Sequence, residues 1–469
     1  MPLPPVRRGT AGHDLLLGRL LSRVWVLFLL GLAIGVVMVV RSQVGGDQLD
    51  MLARGWLFAR GEWLQYGMTT SANGKSPGGM IALLAGLPLL VWRDYRSPAL
   101  FILLAHALAF GLLDRTVRRI VTPPERLLFA LLYWLGPWQL TFAGFVWNPN
   151  WIAVLSAVHL WSAYVQRTRA GFWASFVHVL ALGVFVQIHA SVVILIVASV
   201  ALLLLRCVRV HWGGVAAAGL ISAAMLVPWV MVVAAEPALL PGGKGFLFRG
   251  LVLVYPMLRG AFYWTRLASL QLDARMTSYD FTALVGDANR WLAPSLHAVA
   301  LAIGVASLVV PLLAGVWLVR RGWRWRRTLR SPVGARAWLT RYVVVVLVGA
   351  VTSFAVSPTT IMTWQCFPVL PSAVLAVVLW AGVMLRAGHA RVVRRLAPWW
   401  LAAELALLVA AGTGAPMFRR GGADSEGLRL QRDHPMFREL GLLDRTGISI
   451  DPASDWMPDV LRHNPAQGR

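Results

Sequence analysis

Two polar segments near the N-terminus carry residue types that could do chemistry. Residues 45–50 (GGDQLD) directly follow an apolar run, and residues 73–77 (NGKSP) open the next one. A carboxylate near the outer end of a membrane helix can act as a general base toward an acceptor hydroxyl or amine. Asp47 is therefore a candidate base, and Asp50 a candidate acceptor contact. The structural alternative is that Asp47 caps the following helix, with Asp50 in its favourable first turn.

Lysine usage draws attention to the second segment. Of the 44 Lys and Arg residues only Lys75 and Lys244 are lysines. An ammonium is a compact point charge with three donors, which suits phosphate binding, although a GC-rich genome would also make lysine scarce. Pro77 at a first helical position predicts a helix N-terminus beside Lys75 that could receive an anion. The glycine spacing does not fit a P-loop.

Two further polar motifs stand at the ends of apolar runs. Residues 147–151 (WNPNW) combine turn residues with flanking tryptophans, which is typical of a turn at a membrane interface. Asn148 and Asn150 are candidate contacts there. Gln187 and His189 follow a later apolar run. An ionisable residue inside a membrane protein suggests a functional site by default, and a structural hydrogen bond to a neighbouring helix is the alternative.

Several other kinds of site find no support in the sequence. Cys207 and Cys366 are the only cysteines, so a disulfide framework or a cysteine metal cluster is excluded. No His/Glu cluster has metal-ligand spacing. We therefore expect that no cofactor is required, with a divalent metal as an unsupported alternative. The formal charge of +24 arises from short basic clusters between apolar runs, which indicates membrane topology rather than nucleic-acid binding.

The elements that must position these residues are membrane helices. The chain is 58% apolar and 14% charged, and apolar runs in hydrocarbon must be helices because each has to satisfy its own backbone hydrogen bonds. The sequence predicts an all-α polytopic membrane protein. Its parts are a basic N-terminus (1–23), a transmembrane domain (24–411) and a polar C-terminal tail (412–469).

Arginine placement orients these helices. With the N-terminus inside, about eleven crossings keep the basic loops on the cytoplasmic side of a cytoplasmic membrane. This topology places two loops outside, at 41–76 and 235–290, together with the C-terminal tail. An apolar stripe predicts helices lying on the membrane surface in the first outer loop. The short run 77–92 is expected to be re-entrant or interfacial, and the tail to contain one short helix near 436–443.

Together, these motifs resemble the membrane-embedded glycosyltransferases of the GT-C superfamily. The features concerned are an Asp-containing first outer loop, surface helices, a Lys-Pro entry into the next segment and a Gln-x-His at a later outer end. The branch containing protein O-mannosyltransferases and lipid A aminoarabinose transferases is the most similar. A stretch at 364–368 (WQCFP) is similar in position to an aromatic-proline segment of the family.

The resemblance implies a reaction and roles for four residues. Asp47 matches the catalytic acidic residue of the first loop, and Lys75 the lysine that contacts the phosphate of a polyprenyl-phosphate sugar donor. Gln187 and His189 resemble a pair near the donor cavity. The implied reaction transfers one sugar, with inversion, to a lipid, protein or polysaccharide acceptor on the extracytoplasmic face. Membrane lipids are further expected partners, and nucleic acid is not.

The sequence also departs from the family pattern. The entry motif is often Lys-Pro-Pro preceded by an acidic residue, whereas residues 74–77 read GKSP. The second outer loop lacks the acidic residue often found there. Two other functions stay open. A lipid or saccharide transporter or flippase would need paired ionisable residues in mid-helix and broken helices. An O-antigen-ligase-like enzyme would use a pyrophosphate-linked donor and arginines such as Arg249, Arg259 and Arg266 in a large outer loop.

Overall fold

We analysed the chain as a computed structural model. It describes residues 10–42, 44, 46–70, 74–237, 254–272, 281–325, 334–357, 361–413 and 434–442. Lys244 and Arg249 lie outside these residues, so the assignment of Lys244 as a possible acceptor or second-loop contact stays a prediction. The described chain is almost entirely helical, with one short β-hairpin. This confirms the predicted all-α class.

The described residues of the first half form ten α-helices. They are α1 (Thr10–Val40), α2 (Gly46–Ala59), α3 (Met80–Val91), α4 (Arg96–Val117), α5 (Pro123–Phe129), α6 (Pro137–Ala143), α7 (Ile152–Gln166), α8 (Phe172–Val186), α9 (Val193–Leu204) and α10 (Trp212–Ala235). The hairpin strands β1 (Tyr66–Thr70) and β2 (Gly74–Pro77) lie between α2 and α3. A π-helical turn (Ala130–Trp134) joins α5 to α6, and 3₁₀ turns occur at Asn148–Trp151 and Ala190–Val192.

The second half contributes eight more described helices. They are α11 (Val254–Leu267), α12 (Phe281–Val285), α13 (Ala293–Ser307), α14 (Val309–Trp325), α15 (Ala335–Ala355), α16 (Leu370–Arg386), α17 (Ala390–Thr413) and α18 (Pro435–Glu439). Two 3₁₀ turns, Asp287–Leu292 and Thr363–Val369, lead into α13 and α16. The stretch predicted as the long outer loop therefore contains helices α11 and α12.

In the described part of the chain, six helical segments are long and apolar enough to cross a membrane. They are Arg23–Val40, Arg96–Val117, Trp212–Ala235, Asp287–Arg324, Ala335–Ala355 and Thr363–Arg386. Shorter apolar helices occur at Met80–Val91, Phe172–Val186 and Ala190–Leu204. Only Gly214 and Ala218 of α10 are buried, so its remaining apolar surface is available to lipid. The protein is a polytopic membrane protein, as the apolar runs predicted.

The first predicted outer loop is packed rather than loose. Helix α2 forms there as expected, but its apolar residues Leu49, Met51 and Leu52 are buried, and α2 packs along α3. Close approach is possible because a Cβ at Gly55 would lie 2.8 Å from Ala85 on α3. The stripe that predicted a surface helix therefore faces the protein, because burying it against α3 removes apolar area from water.

The start of α3 differs from the prediction. We expected Pro77 to occupy the first helical turn, with Lys75 at the helix N-terminus. Pro77 instead ends β2, where it pairs with Tyr66 of β1, and α3 begins at Met80. Gly78 has φ +75°, a left-handed conformation that ends the strand and prevents a helix from running through it. Lys75 consequently lies on a β-strand.

Part of the C-terminal tail packs against α2. Helix α18 overlaps the short helix predicted there, and its Met436 and Phe437 are buried. The Glu439 carboxylate accepts from Trp56 Nε1 at 2.9 Å and pairs with Arg60 at 3.0 Å. The tail segment therefore lies beside the predicted first outer loop and holds the C-terminal half of α2.

Candidate functional site

Asp47 is the second residue of α2 and lies in its first turn, where the capping alternative had placed Asp50. The side chain is half-buried. Trp147 Nε1 donates a hydrogen bond to its Oδ2 at 2.9 Å, across 100 residues of sequence. Burial raises the pKa of Asp47 above its ordinary value, the Trp147 bond lowers it, and the charge of Asp50 raises it further. A carboxylate with a raised pKa has the character of a general base.

Asp50 has a structural partner. Its carboxylate accepts from Arg54 Nε at 3.1 Å, and both side chains are almost fully buried. Arg54 Nη1 also donates to the carbonyl oxygen of Tyr66 at 2.8 Å. The pair thus joins α2 to β1 of the hairpin. The acceptor contact predicted for Asp50 stays a prediction, and this carboxylate now has the role of holding Arg54.

Lys75 lies half-buried on β2, opposite Thr69 of β1. Just after this strand, the backbone at Gly78 lies close to the side chain of Gln187. A Cβ built on Gly78 would lie only 2.0 Å from Gln187 Oε1. Gln187 is 1% exposed. Among the described residues its Nε2 donates to no partner. The Lys75 segment and the Gln187 motif, which are more than 100 positions apart, therefore meet at a glycine, where only a residue without a side chain fits.

The turn at residues 147–151 joins these two ends. Asn148 Nδ2 donates to the carbonyl of Ile188 at 3.4 Å, a long hydrogen bond. Asn150 points inward: its Nδ2 donates to Phe145 O at 2.7 Å, and its own carbonyl contacts His106 Nε2 at 2.6 Å. Asn148 therefore lies among the candidate site residues, whereas Asn150 is buried in the protein and holds the turn.

His189 makes a local contact. Its Nδ1 accepts from the backbone N–H of Ser191 at 3.1 Å and contacts Ser191 Oγ at 2.8 Å. It thus caps the turn Ala190–Val192, a local contact rather than the hydrogen bond to a neighbouring helix that was the structural alternative. Burial lowers the pKa of His189 to about 4, so the ring is neutral at pH 7. A neutral imidazole supplies no positive charge to a phosphate, although its Nε2 remains a potential donor.

The later aromatic segment adjoins Trp147. The rings of Trp147 and Trp364 lie 5.6 Å apart, and those of Phe142 and Phe367 lie 4.0 Å apart. Residues 364–368 therefore lie beside Trp147, which donates the hydrogen bond to Asp47. Aromatic packing on this scale fixes the Trp147 ring, and with it the direction of the N–H that reaches Asp47.

Arg259 is a candidate that the sequence did not single out for this site. Its Nε donates to Tyr263 Oη at 2.7 Å and its Nη2 to Met362 Sδ at 3.2 Å. In the described part of the chain no carboxylate pairs with this guanidinium. Arg266, in contrast, donates to the carbonyls of Gln271 and Leu272. The available sequence signal was an arginine beside aromatic residues in the segment that forms α11.

The arrangement brings five sequence motifs to one end of the helix bundle. No group of three or more His, Cys, Asp or Glu side chains that could hold a metal occurs among the residues searched. The potential chemistry is therefore that of one carboxylate with a raised pKa and nearby cationic groups. This combination can accept a proton and hold an anion.

Comparisons with known proteins give one structural similarity. No family model matches the sequence, and no curated protein matches it. A solved structure similar to this chain is that of ArnT from Cupriavidus metallidurans in the apo state, with 15% sequence identity and a TM-score of 0.45. The similarity covers 77% of this chain and 59% of that protein, so the chain spans about three-fifths of its length.

Proposed function

We propose that this protein is a membrane glycosyltransferase of the GT-C type, which transfers a sugar from a polyprenyl-phosphate donor to an acceptor on the extracytoplasmic face. The proposal rests on the meeting of distant sequence motifs through three contacts. The hydrogen bond from Trp147 to Asp47, the contact from Asn148 to Ile188 and the fit of Gln187 against Gly78 connect distant motifs. Folding has joined the segments that the resemblance assigns to base, donor phosphate and donor cavity.

Asp47 is proposed as the general base. Its raised pKa keeps it a stronger proton acceptor than an exposed aspartate, while the Trp147 bond stabilises the ionised form that can accept a proton. The acceptor hydroxyl or amine would lose its proton to Asp47 as it attacks the anomeric carbon. The bond from that carbon to the phosphate oxygen breaks, and polyprenyl phosphate leaves with the electron pair. A single displacement of this kind inverts the anomeric configuration.

Lys75 and Arg259 are proposed to stabilise the leaving phosphate. A lipid carrier stays in the bilayer, so its phosphate must meet the protein at the interface. There a cation compensates the charge that develops as the bond breaks. Lys75 lies half-buried on β2, and Arg259 contacts Met362, just before the Trp364 segment. With a monophosphate leaving group and two cations, the proposed reaction requires no metal.

The test separates donor binding from turnover. Reconstituted protein is given polyprenyl-phosphate-linked hexoses and pentoses with a membrane extract as acceptor, and binding of unglycosylated polyprenyl phosphate is measured separately. Asp47→Asn should lose roughly a hundredfold to ten-thousandfold in transfer but keep carrier binding, because removal of a general base affects the reaction step. Lys75→Ala should lose both. Asp94→Asn, which alters a carboxylate paired with Arg96, is the matched control.

Wild-type transfer by Asp47→Asn would rule out the mechanism, and unchanged carrier binding by Lys75→Ala would rule out the phosphate site.

A transporter is the second candidate, because one structural feature favours it. The α5–α6 segment is broken at Gly136–Pro137 and is buried in the protein, and Gln139 Nε2 contacts the buried His106 at 2.8 Å. Broken helices with buried polar groups are typical of transport proteins. Movement of a fluorescent polyprenyl phosphate across proteoliposomes, without sugar transfer in the assay above, would favour this function over the enzyme.

A further inference from the structure

A cavity lies between α8, α9 and α10, at the end of α8 and α9 farther from the Gln187 motif. Its volume is about 140 Å³, and its walls are formed mainly by apolar side chains of α8, α9 and α10, among them Val179, Leu182 and Leu203. Helix α9 starts just after the Gln187 motif and has 12 residues, so it spans about 18 Å to the cavity end. This cavity is therefore separate from the proposed transfer site.

The floor of the cavity is polar but already hydrogen-bonded. His178 contacts Ser162 Oγ through Nδ1 at 2.7 Å and Ser199 Oγ through Nε2 at 2.9 Å. His159 Nε2 lies 2.9 Å from the same Ser199 oxygen, which donates to the Leu195 carbonyl at 2.7 Å. With both imidazoles neutral, each Nε2–H can donate to Ser199 Oγ, and each Nδ1 lies against a hydroxyl group, Ser162 Oγ for His178 and Tyr342 Oη for His159. Neither His178 nor Ser199 has a hydrogen bond to offer an occupant.

The other polar groups of the lining are also occupied. Ser175 Oγ accepts from the backbone N–H of His211 at 3.0 Å and donates to Gln166 Oε1 at 3.4 Å. Gln166 Nε2 donates to the Ala174 carbonyl at 3.3 Å. A cavity whose glutamine, serine and histidine side chains are already hydrogen-bonded within the protein favours an apolar occupant. An apolar cavity of about 150 Å³ stays dry and admits a benzene-sized group, so this one fits about six carbons of a hydrocarbon chain.

The rim of the cavity faces lipid and carries positive charge. Val200 and Trp212 line it and are 52% and 67% exposed. In the sequence, Arg209 lies between the lining residues Val208 and Val210, and Arg167 follows the lining residue Gln166. The sequence from 126 to 235 contains no Asp or Glu. Within the described chain, Arg167, Arg169, Arg206 and Arg209 form no ion pair.

From these observations we infer that the cavity binds one anionic glycerophospholipid of the surrounding bilayer. One acyl chain enters the apolar cavity between α8, α9 and α10, and the phosphate headgroup lies among the arginines of the two loops beside it. The charge of the rim argues for an anionic headgroup over a zwitterionic one. The filled hydrogen bonds of the floor argue for a chain end without polar groups. The site is independent of the proposed transfer reaction.

Native mass spectrometry of the full chain with equal amounts of dioleoyl phosphatidylglycerol and dioleoyl phosphatidylcholine tests the site. Wild type should retain one phosphatidylglycerol in preference to phosphatidylcholine. The double variant Arg206→Gln/Arg209→Gln should lose roughly fivefold in that preference for each arginine, equivalent to about 1 kcal/mol each. Arg320→Gln is the matched control, because this exposed arginine lies on α14, away from the cavity lining, and should change nothing.

Val179→Trp fills the cavity and should reduce retention of both lipids. If that variant does not fold, tail-brominated phosphatidylglycerol provides a second measurement on the unaltered core. It should quench the fluorescence of Trp212 in solubilised protein, with Trp212→Phe identifying that signal. Unlabelled phosphatidylglycerol should reverse the quenching, and phosphatidylcholine should not. Equal retention of the two lipids, or wild-type retention by folded Val179→Trp, would overturn the inference.

Discussion

Replacing Trp147 by Phe tests the electrostatics of Asp47 without altering the carboxylate. The substitution removes the Nε1–H that lies 2.9 Å from Asp47 Oδ2 and keeps an aromatic ring beside Trp364. Burial raises the pKa of Asp47 and the Trp147 bond lowers it. Loss of the bond therefore raises that pKa further. During acidification, Trp147→Phe therefore loses the ionised form of Asp47 at a higher pH than wild type does.

The magnitude follows from the kind of bond. A hydrogen bond to an ionised group contributes roughly 1.5–3 kcal/mol, and because Asp47 is half-buried rather than fully buried, we use the lower end. About 1.5 kcal/mol corresponds to about a tenfold change in an equilibrium constant. On the acidic side of its titration, Asp47 in Trp147→Phe should thus be ionised about tenfold less than in wild type. Transfer activity measured there should fall by the same factor and recover at high pH.

Infrared difference spectroscopy can follow this carboxyl without knowledge of the sugar. The band present in wild type and absent in Asp47→Asn reports protonated Asp47 as the pH is lowered. Trp151→Phe is the matched control, because Trp151 is also buried but its Nε1 donates to no described residue. A midpoint in Trp147→Phe equal to that of wild type, or an equal shift in Trp151→Phe, would refute the reasoning.

Three further outcomes are expected. Gly78→Ala should lower the free energy of unfolding by about 1–3 kcal/mol and weaken carrier binding. Position 78 has φ +75°, and the Cβ of alanine there would clash with Gln187. Glu125→Gln should cost about 3 kcal/mol in unfolding. Although burial raises the pKa of Glu125, the bonds from Arg336 hold it below its usual value. Wild-type stability should therefore be lost as the pH falls through that lowered pKa, and thermal melts of the variant should lack this dependence. Lys75→Gln should weaken polyprenyl-phosphate binding and reduce its salt dependence in titrations at low and high ionic strength, with the remaining dependence contributed by Arg259.

The β-hairpin shows where local sequence signals were insufficient. Pro77 after a polar segment is a good helix-start signal, yet here it is the last residue of a β-strand. The competing cause is tertiary: Arg54 on α2 holds the Tyr66 carbonyl, and β1 then pairs with β2. The hydrogen bond from Arg54 to the Tyr66 carbonyl cannot be predicted from residues 73–77 alone.

The same limit applies to residue roles within a motif. Asn148 and Asn150 are chemically identical and two positions apart, but the first contacts Ile188 and the second is buried against Phe145. His189 similarly has a side chain suited to chemistry, and the fold uses it to cap a turn. Which member of a motif faces a site depends on the direction of its side chain, and packing sets that direction.

The sequence by itself determined that this is an all-α membrane protein with its polar motifs at helix ends. Hydrocarbon requires backbone hydrogen bonds within each segment, and this requirement acts on every apolar run regardless of its neighbours. Only the tertiary structure decided that Trp147 donates to Asp47, that Gln187 fills the space above Gly78 and that the arginine-rich end contains a cavity. Those contacts depend on how separate helices pack side by side, and no local pattern encodes the partner of a side chain that lies 100 residues away.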